Sequence, residues 1–268
     1  MRKLFNSLVP VFAIFILISC SGNQKSNERV TTANVREKVE KEFKYPIPTS
    51  FEITQLLQNA EAAFVLNITN PVANVEKYET QRDKALNLGI YGADLSYAST
   101  YNMQEETLNV LNASKTLIDG LEIPGVFNTE MVNRVEQNLD NKDSLILIIT
   151  ESFYTTYDQL NKTGQEKIGY LVVAGSWIEG LYITTQLAIA SNYDERMMQI
   201  VAEQKVAANI LADAASKYMD DPDVQAVAPL INYMKLSYEG VDPAVGITVG
   251  QLDDIIANVE STRNEIVN

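Results

Sequence analysis

The chain has no histidine and one cysteine among 268 residues. Without histidine, Ser-His-Asp and Cys-His nucleophilic catalysis are excluded. So are histidine-ligated zinc sites, HExxH metalloprotease helices and a haem held by a proximal histidine. Any acid–base chemistry falls to Asp, Glu, Lys or Tyr. One cysteine leaves no disulfide within the chain. The 12 glycines are scattered and form neither a GxGxxG nor a GxxxxGK[ST] phosphate loop. Positive charge is scarce as well: 21 Lys and Arg stand against 35 Asp and Glu, a formal charge of −14. Such a surface repels nucleic acid and anionic headgroups, so no nucleic-acid partner is expected. The acids are not spaced as in a calcium loop. Asp220-Asp221-Pro222-Asp223 reads instead as a charged helix start. Neither a metal, a cofactor nor an enzymatic activity is expected.

What the chain does have begins at its N-terminus. Arg2 and Lys3 precede an apolar run, Leu8 to Ile18, that ends in Leu17-Ile18-Ser19-Cys20. This is the shape of a secretory leader, to be set aside from the fold. The end resembles the lipobox of bacterial lipoproteins, and that resemblance implies that Cys20 is lipidated and becomes the first mature residue. Loss of residues 1–20 removes Arg2 and Lys3 and no acid, which takes the charge from −14 to −16. Membrane attachment is therefore expected through lipid on Cys20 rather than through a basic patch. Ser21 is not the aspartate that resembles an inner-membrane retention signal, and Gly22 to Asn27 carry no acidic run. The expected location is the outer membrane, facing the periplasm.

Residues 21–47 read as a flexible tether with a short helix over 34–43, and 48–268 as one helical domain. The apolar spacing predicts an all-α bundle of about nine helices. Thr49-Ser50-Phe51-Glu52 matches a capping box and opens a helix to about Ile68. Others are expected over 74–100, 102–121, from Asn128 with a Phe127–Val132 staple, from Asp143, over 163–190, from Asp194, from Asp221-Pro222 to Tyr238, and from the capping box at Thr248. The LILII run at 145–149 also fits a strand, but apolar positions continue at helical spacing through Phe153, Tyr157 and Leu160. Gly169 to Ala190 is long enough to span a membrane, yet its glycines, hydroxyls, Gln186 and Glu179 fit the centre of a helical domain better.

A shift of 85 residues lays GADLSYASTY at 92–101 over WIEGLYITTQ at 177–186, with Asp94 on Glu179 and Tyr97 on Tyr182. The flanking helices correspond too, which suggests a duplicated four-helix unit, residues 49–141 and 143–239, closed by a ninth helix. In each copy an acid precedes a tyrosine by three residues, so both lie on one helix face. Tyr91, Asp94, Tyr97 and Tyr101 form one stripe; Ser176, Glu179, Tyr182 and Gln186 form the other. Two readings stand side by side. The acids tie down helix register through hydroxyls or an arginine such as Arg82 or Arg134. Alternatively Asp94, Tyr97, Glu179 and Tyr182 line a polar pocket between the repeats for a small ligand or cation. The 13 tyrosines also offer sugar-stacking faces, although most fall at core spacing.

YPIPTSFE at 45–52, NLGIYGADLSYAST at 87–100, NKDSLI at 141–146 and AGSWIEGLYI at 174–183 together resemble a family of lipoproteins found in Bacteroidetes-type genomes, over most of the mature chain. The resemblance implies envelope attachment and carries no activity. Imelysin-like helical proteins are a weaker comparison; their GxHxxE motif cannot exist without histidine, so no site is carried over. The expected role is a non-enzymatic structural or protein-interaction module with an envelope protein as partner.

Overall fold

A computed structural model describes residues 50–123 and 129–268. Among the described residues nine α-helices are packed against one another and no strand occurs. They are α1 (Ser50–Asn59), α2 (Gln81–Thr100), α3 (Gln104–Gly120), α4 (Thr129–Glu136), α5 (Lys142–Lys162), α6 (Glu166–Ala190), α7 (Glu195–Ala215), α8 (Pro222–Leu236) and α9 (Val249–Val267). Short 3-10 turns cover Val72–Lys77 and Ser216–Tyr218. The leader, Cys20, the tether, Thr49 and the Phe127-Asn128 start lie outside the described residues.

Local chemistry sets the helix ends. Thr80, Asn141, Asp194 and Asp221 each turn a side-chain oxygen onto a free N–H in the first turn, and Pro222 follows Asp221 at the first helical position. Thr248 and Gln251 form the full capping box of α9. Asn102, Glu122, Gly164 and Asn192 adopt positive φ just past α2, α3, α5 and α6. There the following N–H reaches back to close the last turn, as Tyr193 does onto the Ala188 carbonyl at 2.8 Å. LILII lies within α5 as helix.

Two boundaries differ from expectation. α1 stops at Asn59, because Glu61 enters the left-handed region at φ 63° and Ala62 N–H closes onto the Leu57 carbonyl. The segment from Ala62 to Pro71 is not helical; it lies along α2 and bonds to its side chains. α2 starts at Gln81 rather than near Asn74, since Tyr78 is extended and Thr80 supplies the cap.

α2 and α6 form the centre. Nearly every residue of α2 from Ala85 and of α6 from Gly169 to Ala188 is buried, which accounts for the apolar surround of Glu179. No described helix is long and apolar enough to cross a membrane. The two helices touch backbone to backbone. A Cβ on Gly89 would overlap the Val172 carbonyl, and one on Gly175 the Leu86 carbonyl. Leu86 meets Gly175 and, further along both helices, Asp94 meets Glu179, so the pair runs in the same direction. The offset of 85 that aligns the two sequence stripes is thus also the offset that brings the two acids face to face.

Candidate functional site

The α2 stripe reads out as a ladder of bonds to one segment. Tyr101 donates its hydroxyl to the Ala62 carbonyl at 2.8 Å. Tyr97 accepts from Val65 N–H at 2.8 Å and donates to the Val65 carbonyl at 3.3 Å. Asp94 Oδ2 accepts from Asn70 N–H at 3.0 Å, and Tyr91 donates to the Pro71 carbonyl at 3.1 Å. Rising residue numbers on the segment meet falling numbers on α2, so residues 62–71 run antiparallel to the helix. A non-helical segment cannot satisfy its own backbone; these four side chains do it instead.

The α6 stripe holds α9. Glu179 is gripped by Arg263 through two bonds, Nε to Oε2 at 2.6 Å and Nη2 to Oε1 at 2.8 Å. Gln186 donates to Glu260 at 2.8 Å, one turn earlier on α9. The Arg263 guanidinium also lies 4.2 Å from the centre of the Tyr182 ring, a cation–π contact. Its Nη2 donates to the Ile68 carbonyl at 3.3 Å, which links α9 to the segment strapped on α2. Beside it, Asn70, Asn74, Tyr78 and Asn87 bond to one another. Tyr78 and Asn87 also donate to the Val267 and Ile266 carbonyls at 3.3 and 3.2 Å.

Asp94 and Glu179 meet in the middle of this clasp. Both are 0% exposed. Asp94 Oδ1 receives no N–H or hydroxyl bond, and Glu179 is the carboxyl that neighbours Asp94. Two carboxyl oxygens in contact need a proton between them. Burial pushes Asp94 well above the usual carboxylate range, and the Glu179 charge pushes further; Arg263 opposes more weakly. Burial also raises Glu179, while the Arg263 charge and its two bonds pull it back. Burial works to lower Arg263, but the Glu179 carboxylate, with Asp94 behind it, holds it above the usual arginine value. The state these directions favour is a neutral Asp94 beside an ionised Glu179 paired with Arg263. The cluster is then uncharged overall, as a dry interior requires.

The four expected pocket residues therefore separate. Asp94, Glu179 and, through Arg263, Tyr182 come together. Tyr97 turns away; its ring stacks on Phe64 at 5.0 Å and its hydroxyl serves Val65. Both carboxyls are shut off from solvent, and Arg263 covers Glu179, so no opening leads to either. Paired-carboxylate glycoside chemistry needs the carboxyls about 5 Å or more apart, with room for a sugar; hydrogen-bonded acids leave none. Arg82 and Arg134 are not the partners. Each lies at the surface, against Asp83 and Glu151. Arg263 was missed, although α9 carries a signal: its only basic residue continues the buried row Leu252, Ile255 and Val259. Among the described residues no group of three or more acids could hold a metal ion.

Fold and site together define the class: an all-α bundle whose last helix is locked to its core by a buried acid–acid–arginine cluster. Comparison with protein families, curated proteins and solved structures gives no match.

Proposed function

We propose that the chain is a lipid-anchored envelope protein, attached through Cys20 to the outer membrane and facing the periplasm, and that it acts there as a non-enzymatic protein-interaction module. The observation that carries the interaction role is the outer face of α8. From Val224 to Met234 this surface helix has no charged side chain. Ala226, Pro229 and Tyr233 are exposed at helical spacing, and Leu236 extends the row; Tyr233 is 50% and Leu236 57% exposed. On a chain of charge −14, an uncharged apolar helix face is a surface for another protein. The acid cluster supports the reading from the other side, since its closed geometry favours architecture over a ligand pocket between the repeats.

The test uses a photo-cross-linking residue at position 233 of the full chain in cells. A discrete cross-linked product is expected, and Leu236→Glu should abolish it while the melting temperature stays within a degree or two. A chain that yields no product from position 233, or yields it equally with Leu236→Glu, contradicts the role of α8. In the same cells, Cys20→Ser should move the chain from the membrane to the soluble fraction; an unchanged membrane fraction contradicts the anchor.

A further inference from the structure

A second grouping of tyrosines and an acid lies about 20 Å from the sealed pair, 13 residues back along α6 at 1.5 Å per residue. Tyr157 from α5, Glu166 and Tyr170 from α6, and Lys217 and Tyr218 from the turn after α7 surround a cavity of about 190 Å³, over a floor of apolar side chains from α6 and α7. Unlike the Asp94–Glu179 cluster, it is open to solvent. Tyr170 is buried and fixed by its hydroxyl on the Leu211 carbonyl at 3.4 Å. Tyr218 stands against it, ring centres 6.1 Å apart and planes tilted by 49°, so the two rings make a corner. Tyr157 and Tyr218 are half-buried and border the opening.

The electrostatics of the cavity have a sign. Burial, then Tyr157, then Glu166 raise the Tyr218 hydroxyl above its usual value, which fits these oxygens facing one space. α7 ends at Ala215 beside the cavity and α6 begins there at Glu166, so the two helix-end charges offset and the Glu166 carboxylate sets the sign. The chain as a whole is at −14. Neighbouring Lys167 is already held by Asp220 and Asp221, at 2.9 and 3.7 Å. Lys217 is the opposing charge in the lining, and it is exposed, so its flexible stem can swing out.

We propose that this cleft binds a small alkylammonium head, with the rings of Tyr157, Tyr170 and Tyr218 around the cation and Glu166 as its counter-charge. Aromatic faces attract cations, most strongly those that shed water easily, such as quaternary ammonium. The volume fits one such head. It exceeds the about 150 Å³ of a cavity that admits benzene, and falls below the roughly 300–1,000 Å³ of drug-sized sites. The carrier is either a free solute or the head of a lipid.

Tetramethylammonium and choline chloride, titrated into the mature domain by calorimetry at matched ionic strength, test the site. Saturable binding is expected. Tyr218→Ala should weaken it by about fivefold or more. Glu166→Gln, a rim change that leaves the rings in place, should weaken it also. Lys217→Ala should tighten it, because it removes the competing ammonium. Retention on phosphatidylcholine vesicles would assign the head to a lipid, and choline binding without retention would assign it to a free solute; either supports the site. No saturable binding of either cation overturns the proposal. So does binding that is unchanged in both Tyr218→Ala and Glu166→Gln, weaker binding by Lys217→Ala, or saturable binding of glucose in place of the cations.

Discussion

Arg263→Met removes the one cation from the buried cluster while filling most of its volume. The wild-type guanidinium satisfies both Glu179 oxygens, caps the Ile68 carbonyl and covers the Tyr182 ring. With methionine, two acids that are 0% exposed face each other without a counter-ion. Breaking a buried pair by deleting one partner costs about 3–5 kcal/mol, mostly the penalty of the stranded charge. For a chain of this size each kcal/mol moves the midpoint by roughly 2–4 °C, so a fall of roughly 6–20 °C is expected at pH 8. Glu179 can escape the penalty by taking up a proton, so the deficit should shrink at pH 5. The assay is thermal melting of the mature domain by circular dichroism at both pH values. Asp94→Asn is the control. Its Nδ2–H can donate to Glu179 where the acid proton did, and its Oδ1 can accept from Asn70 N–H, so the midpoint at pH 8 should hold or rise. An Arg263→Met midpoint within 2 °C of wild type, or an Asp94→Asn loss as large as that of Arg263→Met, would show that the ion pair does not hold the cluster.

Two further outcomes follow from the same geometry. Asp94 has a folded pKa above its unfolded value, which is about 3.9. The stability it contributes is fully present below that value and is lost as pH rises toward the folded pKa. The midpoint difference between Asp94→Asn and wild type should therefore widen in favour of Asn from pH 4 upward; a constant difference across pH 4–8 counts against a shared proton. Gly175→Ala forces a methyl into the Leu86 carbonyl, where backbone rather than a side chain must move. A loss of about 3 kcal/mol or more is expected in urea unfolding, at the upper end of overpacking costs; a loss below 1 kcal/mol would show that α2 and α6 are not in backbone contact.

Helix identity was legible in the sequence because it rests on local chemistry. The Thr248–Gln251 box, Asp221-Pro222 and the 3.6-residue spacing through Tyr157 need no tertiary information. The two acid–tyrosine stripes were legible too, and so was the idea that they face a common centre. What each stripe holds was not. Asp94, Tyr97 and Tyr101 serve the backbone of residues 62–70, and that segment reads as a continuation of α1 until Glu61 takes a left-handed conformation. Its helix was given up for bonds made by another element, which no local window contains. Arg263 lies 84 residues from Glu179, on a helix whose apolar row it interrupts. The interruption was itself the clue, since a base on a buried face needs an acid. Tyr97 shares its stripe with Asp94 but ends against Phe64, because the helix turns its hydroxyl along the strapped segment rather than across to α6.

The central claim is that one proton joins Asp94 to an ionised Glu179 inside the clasp. The carbon-13 shift of the Asp94 carboxyl, followed by NMR from pH 3 to pH 8 in labelled protein, tests it most directly. A carboxyl that stays protonated well above the usual aspartate value near 3.9 is expected. An Asp94 carbon that titrates at or below that value would contradict it, for the two acids would then stand ionised side by side and Arg263 alone could not hold them.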